Sequence, residues 1–263
     1  MERKNVWKEY DETTSAKVDA LAKGYMEFLD NGKTERECVD TIVNQIEAAG
    51  YKELPELIRG GKKLSAGDKV YAVLMNKMVV MFQMGTKPMT AGLNILGAHI
   101  DSPRLDIKQN PLYEDSDFAL LDTHYYGGIK KYQWVTLPLA LHGVVAKKDG
   151  SIVEINVGEN EDDPVFFILL VHLSGEQMEK KAAKVVEGEA LDLIVGSRPL
   201  AGEEKEAVKA GVLKLLADTY GIEEEDFLSA ELEVVPAGKA REAGFDRSMV
   251  LGYGQDDRVC AYT

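Results

Sequence analysis

A chain of 263 residues that sets 31 Lys and Arg against 45 Asp and Glu carries a formal net charge of −14. That sign excludes recognition of nucleic acid or an anionic membrane through a broad basic footprint. It leaves peptide and small-molecule substrates open, because one local pocket can oppose the global field. A hydrophobic share of 45% matches a globular protein with a sizeable core, and the length points to two structural units.

Two cysteines, Cys38 and Cys260, stand far apart and outside any zinc-finger or disulfide spacing, so a reducing cytoplasm is expected. The opening "MERKNVWKEYDETTSAK" lacks the apolar centre of a signal peptide. No apolar run approaches the roughly 18 residues of a membrane span.

In chain order, "SAKVDALAKGYMEFLD" at 15–30 places Val18, Leu21, Tyr25, Phe28 and Leu29 on one face of a helix, which Asn31-Gly32 stops. Thr34 with Glu37 three residues on forms a capping box for a second helix, whose stripe is Val39, Ile42, Val43 and Ile46. "KVYAVLMNKMVVMFQM" at 69–84 reads as two strands around a tight turn at Asn76-Lys77, with Met75, Met78, Met81 and Met84 as core filling. "LNILGA" at 93–98 is a short continuous apolar run, the pattern of a strand buried on both faces of an α/β sheet. Beyond about residue 104 the character changes. Strands are expected on either side of a Lys148-Asp149-Gly150 turn and in "DDPVFFILLVHL", helices at 177–187 and 203–219, and a strand in "SAELEVVPA" at 229–237. The expected division is 1–103, an inserted β-rich domain over 104–240, and a return to the first domain over 241–263.

Two stretches carry chemistry. In "ILGAHIDSPRLD", His99 and Asp101 stand two apart, on one side of an extended chain, at the carboxyl end of the expected strand. That end is where ligands bind in open α/β sheets. His99 has the chemistry of a metal ligand and Asp101 that of a carboxylate orienting it; a surface pair at the start of a loop fits the same spacing. In "GYGQDDRVCAYT", the carboxylate of Asp256 has two oxygens with which to bridge two cations. Taken alone, that stretch fits an acidic helix start followed by a solvated Arg258 better.

Taken together, "LGAHIDSP" and "GYGQDDRV" flanking a β-rich insertion, with "THYYGGIKKYQW" at 123–134, His172-Leu173 and "ELEVVPAG", resemble the aspartyl-aminopeptidase family of cocatalytic zinc exopeptidases, closest to its bacterial branch. The resemblance runs over essentially the whole chain. It implies an α/β zinc-peptidase catalytic domain, here incomplete, carrying an inserted dimerisation and lid domain. It implies His99 as a zinc ligand, Asp101 as the acidic residue behind it, Asp256 as the bridging aspartate and Asp257 as a second, weaker candidate ligand. His172 resembles a histidine of the insertion that reaches a neighbouring subunit's active site, although the family has Pro where this chain has Val171; a core or edge-strand histidine fits His172 as well.

The resemblance further implies two zinc ions, with cobalt or manganese as substitutes, peptide substrates, and a cytoplasmic homo-oligomer that assembles through the insertion, as a tetrahedral dodecamer in relatives. The family mechanism draws on a glutamate pair, a further aspartate and a final histidine, and no Glu-Glu of this sequence matches by motif. Glu203-Glu204 and Glu223-Glu224-Glu225 read as solvated helix or turn. The expectation is a metallo-aminopeptidase chain that is inactive alone. The alternatives are a non-catalytic oligomerisation module or fragment of such an enzyme, and a single-zinc site of His99, Asp101 and Asp256. His124 is expected near a turn or subunit contact, and His142 in a structural strand position.

Overall fold

The computed structural model describes residues 4–168 and 179–263. The described chain divides into two compact units, 1–101 with 239–263, and 102–238.

The first unit opens with helix α1 (Glu12–Asn31), whose start is fixed by the Asp11 side chain accepting from the Thr14 amide at 2.7 Å. Its buried face is Tyr25, Phe28 and Leu29, whereas Leu21 is exposed, so the apolar stripe is shorter than the spacing predicts. Helix α2 (Glu35–Ala48) begins with the expected capping box. Thr34 Oγ1 accepts from the Glu37 amide at 3.3 Å, and the Glu37 carboxylate accepts from the Thr34 amide at 2.9 Å. Gly32 between the helices is needed for space: a Cβ there would lie 2.8 Å from Cys38 Sγ.

Strand β1 (Lys52–Glu53), helix α3 (Leu54–Arg59), and strands β2 (Lys69–Leu74) and β3 (Met78–Gln83) follow, with the sheet ordered β1-β2-β3. The β2–β3 turn is centred on Met75 and Asn76, both at positive φ, and closed by the Lys77 amide on the Leu74 carbonyl, one residue earlier than expected. The methionines do not fill a core: Met75, Met78 and Met81 are all exposed, because β3 is the edge of its sheet. The run 93–98 also departs from expectation. No strand is assigned to it, and Leu93, Ile95 and Leu96 are exposed. A strand exists only by hydrogen-bonding a neighbour, and this run has no such pairing among the described residues.

The second unit is a seven-stranded antiparallel sheet. Its strands are β4 (Arg104–Asp115), β5 (Phe118–Tyr126), then, after a short helix α4 (Lys131–Trp134), β6 (Leu139–Ala146), β7 (Ile152–Val157), β8 (Phe167–Ile168), β9 (Leu193–Gly196) and, after helix α5 (Ala207–Tyr220), β10 (Ala230–Pro236). The order is β7-β6-β10-β4-β5-β9-β8. Leu105, Leu139, Val145, Leu191, Leu193 and Val234 form its fully buried centre, with Val208 of α5 against it. Glu114 of β4 accepts from the amides of Val208 and Lys209 at 2.9 Å each, so a strand carboxylate caps the start of α5 from across the sequence. Gly143 sits in β6 at φ 140°, where a Cβ would lie 2.0 Å from the Glu231 carbonyl oxygen. Over 179–187 there is only a single turn, Ala182–Lys184, in place of the expected helix; residues 177 and 178 lie outside the described chain.

The chain returns to the first unit through hairpin β11 (Arg241–Ala243) and β12 (Met249–Leu251) and ends in helix α6 (Gln255–Tyr262). There Tyr262 packs on Phe28 and Tyr25, ring centroids 5.3 and 5.5 Å apart. Ile100, Ala240 and Val250 join the same cluster. Gly24 makes the fit possible, since a Cβ there would fall 2.3 Å from the Tyr262 hydroxyl.

Candidate metal centre

Three of the predicted site residues meet in the first unit. His99 Nδ1 lies 3.1 Å from Asp101 Oδ1 and 3.2 Å from the Asp101 carbonyl oxygen. His99 Nε2 lies 3.5 Å from Asp256 Oδ1. The imidazole therefore stands between two carboxylates, one at each ring nitrogen. Asp101 engages one edge of the ring, and the opposite nitrogen faces the carboxylate of α6.

The local chain differs from the expected strand end. His99 and Asp101 come together in an irregular segment that Ile100 anchors in the Tyr25–Phe28–Leu29 cluster, so packing at one residue does what a strand ladder was expected to do. On the other side, Gly254 at φ 82° turns the chain into α6. Asp256 and Asp257 then depart from helical dihedrals, and the peptide bond joining them is cis.

The electrostatics follow from the geometry. Partial burial opposes the charged imidazole, but the hydrogen bonds and charge of Asp101, with a smaller contribution from Asp257, hold the His99 pKa above its ordinary value. The Asp257 carboxylate near the Cys260 thiol is the main reason the thiol pKa is raised. Cys260 is thereby less reactive than a free surface cysteine.

A nitrogen and an oxygen at this separation match two ligands of one tetrahedral cation. With metal–ligand bonds of about 2.0–2.1 Å, the two donor atoms stand roughly 3.3 Å apart. The Asp256 side chain is 98% exposed, which leaves it accessible to a cation. The fit ends with that pair: among the described residues no group of three or more His, Cys, Asp or Glu is placed to hold a metal ion.

The remaining candidates are dispersed. His172 lies outside the described residues. His142 is buried in β6 and pairs through Nε2 with Glu159 at 3.2 Å, a structural contact. His124 lies in β5, stacked on Tyr125. Glu224 and Glu225 pair with Lys209 and Lys148.

Arg258 is the residue that sequence reasoning missed. In place of the solvated side chain that fits "QDDRV", it is 0% exposed and donates to carbonyls of two other segments. The signal available was its setting: Tyr253 supplies a ring face and Gly254 the space that a guanidinium needs.

Comparison with known proteins identifies the family. The family model described as Aminopeptidase I zinc metalloprotease (M18) matches residues 28–263. A probable M18 family aminopeptidase 1 of Clostridium acetobutylicum is 59% identical over all of this chain, which spans 57% of that relative's length. The crystal structure of an M18 family aminopeptidase from Thermotoga maritima superposes with a TM-score of 0.91 at 49% identity, over all of this chain and 56% of that one. The S. cerevisiae mApe1 dodecamer shares the fold, with a TM-score of 0.66 at 17% identity, over 93% of this chain and 54% of that one. This chain thus spans little more than half the length of the relatives it matches. The chain belongs to the M18 family of zinc metalloproteases.

Proposed function

We propose that this chain is part of a zinc-dependent aminopeptidase, which removes amino-terminal residues from peptides. The observation that carries the reading is His99 held by Asp101 on one ring nitrogen and facing Asp256 with the other. In this reading His99 Nε2 and the Asp256 carboxylate are metal ligands. Asp101 fixes the ring's orientation and raises its basicity. Asp257, the residue after the bridging position, is a second-choice ligand. His172 contributes to the reaction from the insertion. Asp256 has an oxygen for each of two cations, which suits the pair of zinc ions that the resemblance implies, with cobalt or manganese as substitutes. Zinc, when bound, activates water and stabilises the negative charge that develops on the substrate carbonyl. The raised His99 pKa means that ligation competes with a proton, so metal affinity rises with pH until the imidazole is neutral.

Among the described residues the donors brought together are fewer than two zinc ions require: a catalytic zinc takes three protein ligands. The 263-residue chain alone is therefore inactive in this reading. Assembly is a homo-oligomer through residues 104–240, with the dodecamer of the yeast fold relative as the pattern. A cytoplasmic location suits two thiols that form no disulfide with each other. No helix among the described residues is long and apolar enough to cross a membrane.

The test is zinc titration of the purified chain by calorimetry, beside hydrolysis of Asp-, Glu- and Leu-chromogenic substrates with zinc or cobalt. Measurable zinc binding that His99→Ala weakens tenfold or more, with no turnover, is the expected result. Zinc affinity unchanged in His99→Ala sinks the ligand assignment. Turnover that follows the protein and vanishes in His99→Ala retains the aminopeptidase and overturns its inactivity alone.

A further inference from the structure

Arg258 is among the largest fully buried side chains of the protein, and no carboxylate pairs with it among the described residues. Its Nε donates to the Ile100 carbonyl at 2.8 Å and its Nη2 to the Lys33 carbonyl at 3.0 Å. The guanidinium lies 5.5 Å from the centroid of the Tyr253 ring, and Nη1 is buried without a hydrogen-bond partner. Gly254 makes room for it, since a Cβ there would fall 2.3 Å from Nη1.

Burying a cation without a counter-charge is unfavourable even after relaxation. An apolar side chain of the same length would fill the space at lower cost, so packing does not account for an arginine here. The geometry of its bonds does. Ile100 lies between His99 and Asp101, Arg258 lies two residues after Asp256, and Lys33 lies in the α1–α2 junction. One planar fork joins these three segments, and a lysine ammonium, a point donor on a flexible stem, cannot span both carbonyls in that fixed arrangement. The segment carrying His99 has no strand ladder to place it, so this bond, with the packing of Ile100, sets where the imidazole stands.

We infer that Arg258 is the positioning residue of the candidate metal centre: through the Ile100 carbonyl it holds His99 in register with Asp256. The inference rests on His99 and Asp256 serving one site, as proposed above. Arg258 touches neither substrate nor metal in this assignment. It acts on the site only through the backbone.

The experiment exploits the four histidines of the chain. Ring-labelled histidine gives one NMR signal for each, assigned by single His→Gln substitutions and read at about pH 8.5, above the ordinary imidazole range. Arg258→Met, which keeps length but no donors, and Arg258→Lys, which keeps charge without the fork, both displace the His99 signal. His124 and His142, in the second unit, serve as controls and stay in place. Zinc chloride titrated into the same samples binds about tenfold more weakly than to the parent, the scale of losing a group that orients a ligand. An Arg258→Met protein with a lower thermal midpoint but an unmoved His99 signal shows a core-filling side chain and overturns the inference. An Arg258→Lys protein whose His99 signal coincides with the parent's also overturns it, since charge alone would then suffice. Should Arg258→Met fail to fold, the lysine variant decides. Should the parent bind no zinc, the metal reading falls, and the His99 signal still decides the positioning role.

Discussion

Two apolar stretches of similar sequence, "LALHGVVA" at 139–146 and "LNILGA" at 93–98, meet opposite fates. The first is strand β6, ladder-bonded to β7 on one side and β10 on the other, and Leu139 is 0% exposed. The second has no strand assignment, and Leu96 is 99% exposed. Composition does not separate them; backbone partners do. Apolar side chains are buried only when the amides and carbonyls beside them are satisfied, and in a strand that requires neighbours. The same contrast runs through the sheets. β6 is an interior strand, whereas β3, equally apolar, is an edge whose residues are mostly exposed.

The contrast can be broken most sharply by truncating one leucine from each stretch. Leu139→Ala removes a fully buried side chain and leaves a cavity, and a loss of about 3 kcal/mol of stability is expected. Leu96→Ala removes a side chain that has little packing to lose, and a change within about 0.5 kcal/mol is expected. Urea unfolding of both variants measures the pair. Equal losses would mean that the 93–98 run is covered in solution. The result for Leu96 is the more informative of the two, because a covered segment would change the account of how His99 is placed.

What was legible in the sequence follows the same division. Helix starts were, because their signals lie within one turn: Thr34 and Glu37 name each other across three residues, and both bonds are present. The β6–β7 turn and strand β10 were legible for the same reason, as local punctuation and alternation. The pairing of His99 with Asp101 was legible as a spacing, although an irregular segment rather than a strand brings the two together. Burial of the methionines was misread, because an edge strand and an interior strand carry the same apolar letters. The capping of α5 by Glu114 and the carbonyl partners of Arg258 were not legible, since each lies far away in sequence. A cap read this easily from sequence should also be separable in energy. Thr34→Ala is expected to cost about 1 kcal/mol, measured as a shift of the urea midpoint, with most of it recovered by Thr34→Ser.

A pH-dependent contact lies where β2 meets α2 inside the first unit. The Tyr71 hydroxyl donates to Glu47 Oε1 at 2.6 Å, and this bond, with burial adding to it, pushes the phenol pKa from 10.0 up to about 12. A folded pKa above the unfolded one means that the native state holds its proton longer. The stability from this contact is therefore fully present below about pH 10 and is lost as pH rises toward about 12. Tyr71→Phe should cost about 1.5–3 kcal/mol at neutral pH, the worth of a hydrogen bond to a charged group. It should also make stability less sensitive to alkali. The two urea midpoints, plotted against pH, should converge across that alkaline window. A constant gap would show that the hydroxyl bonds water rather than Glu47. That would leave packing alone to join β2 to α2, and the first unit would depend on apolar contact where this strand meets this helix.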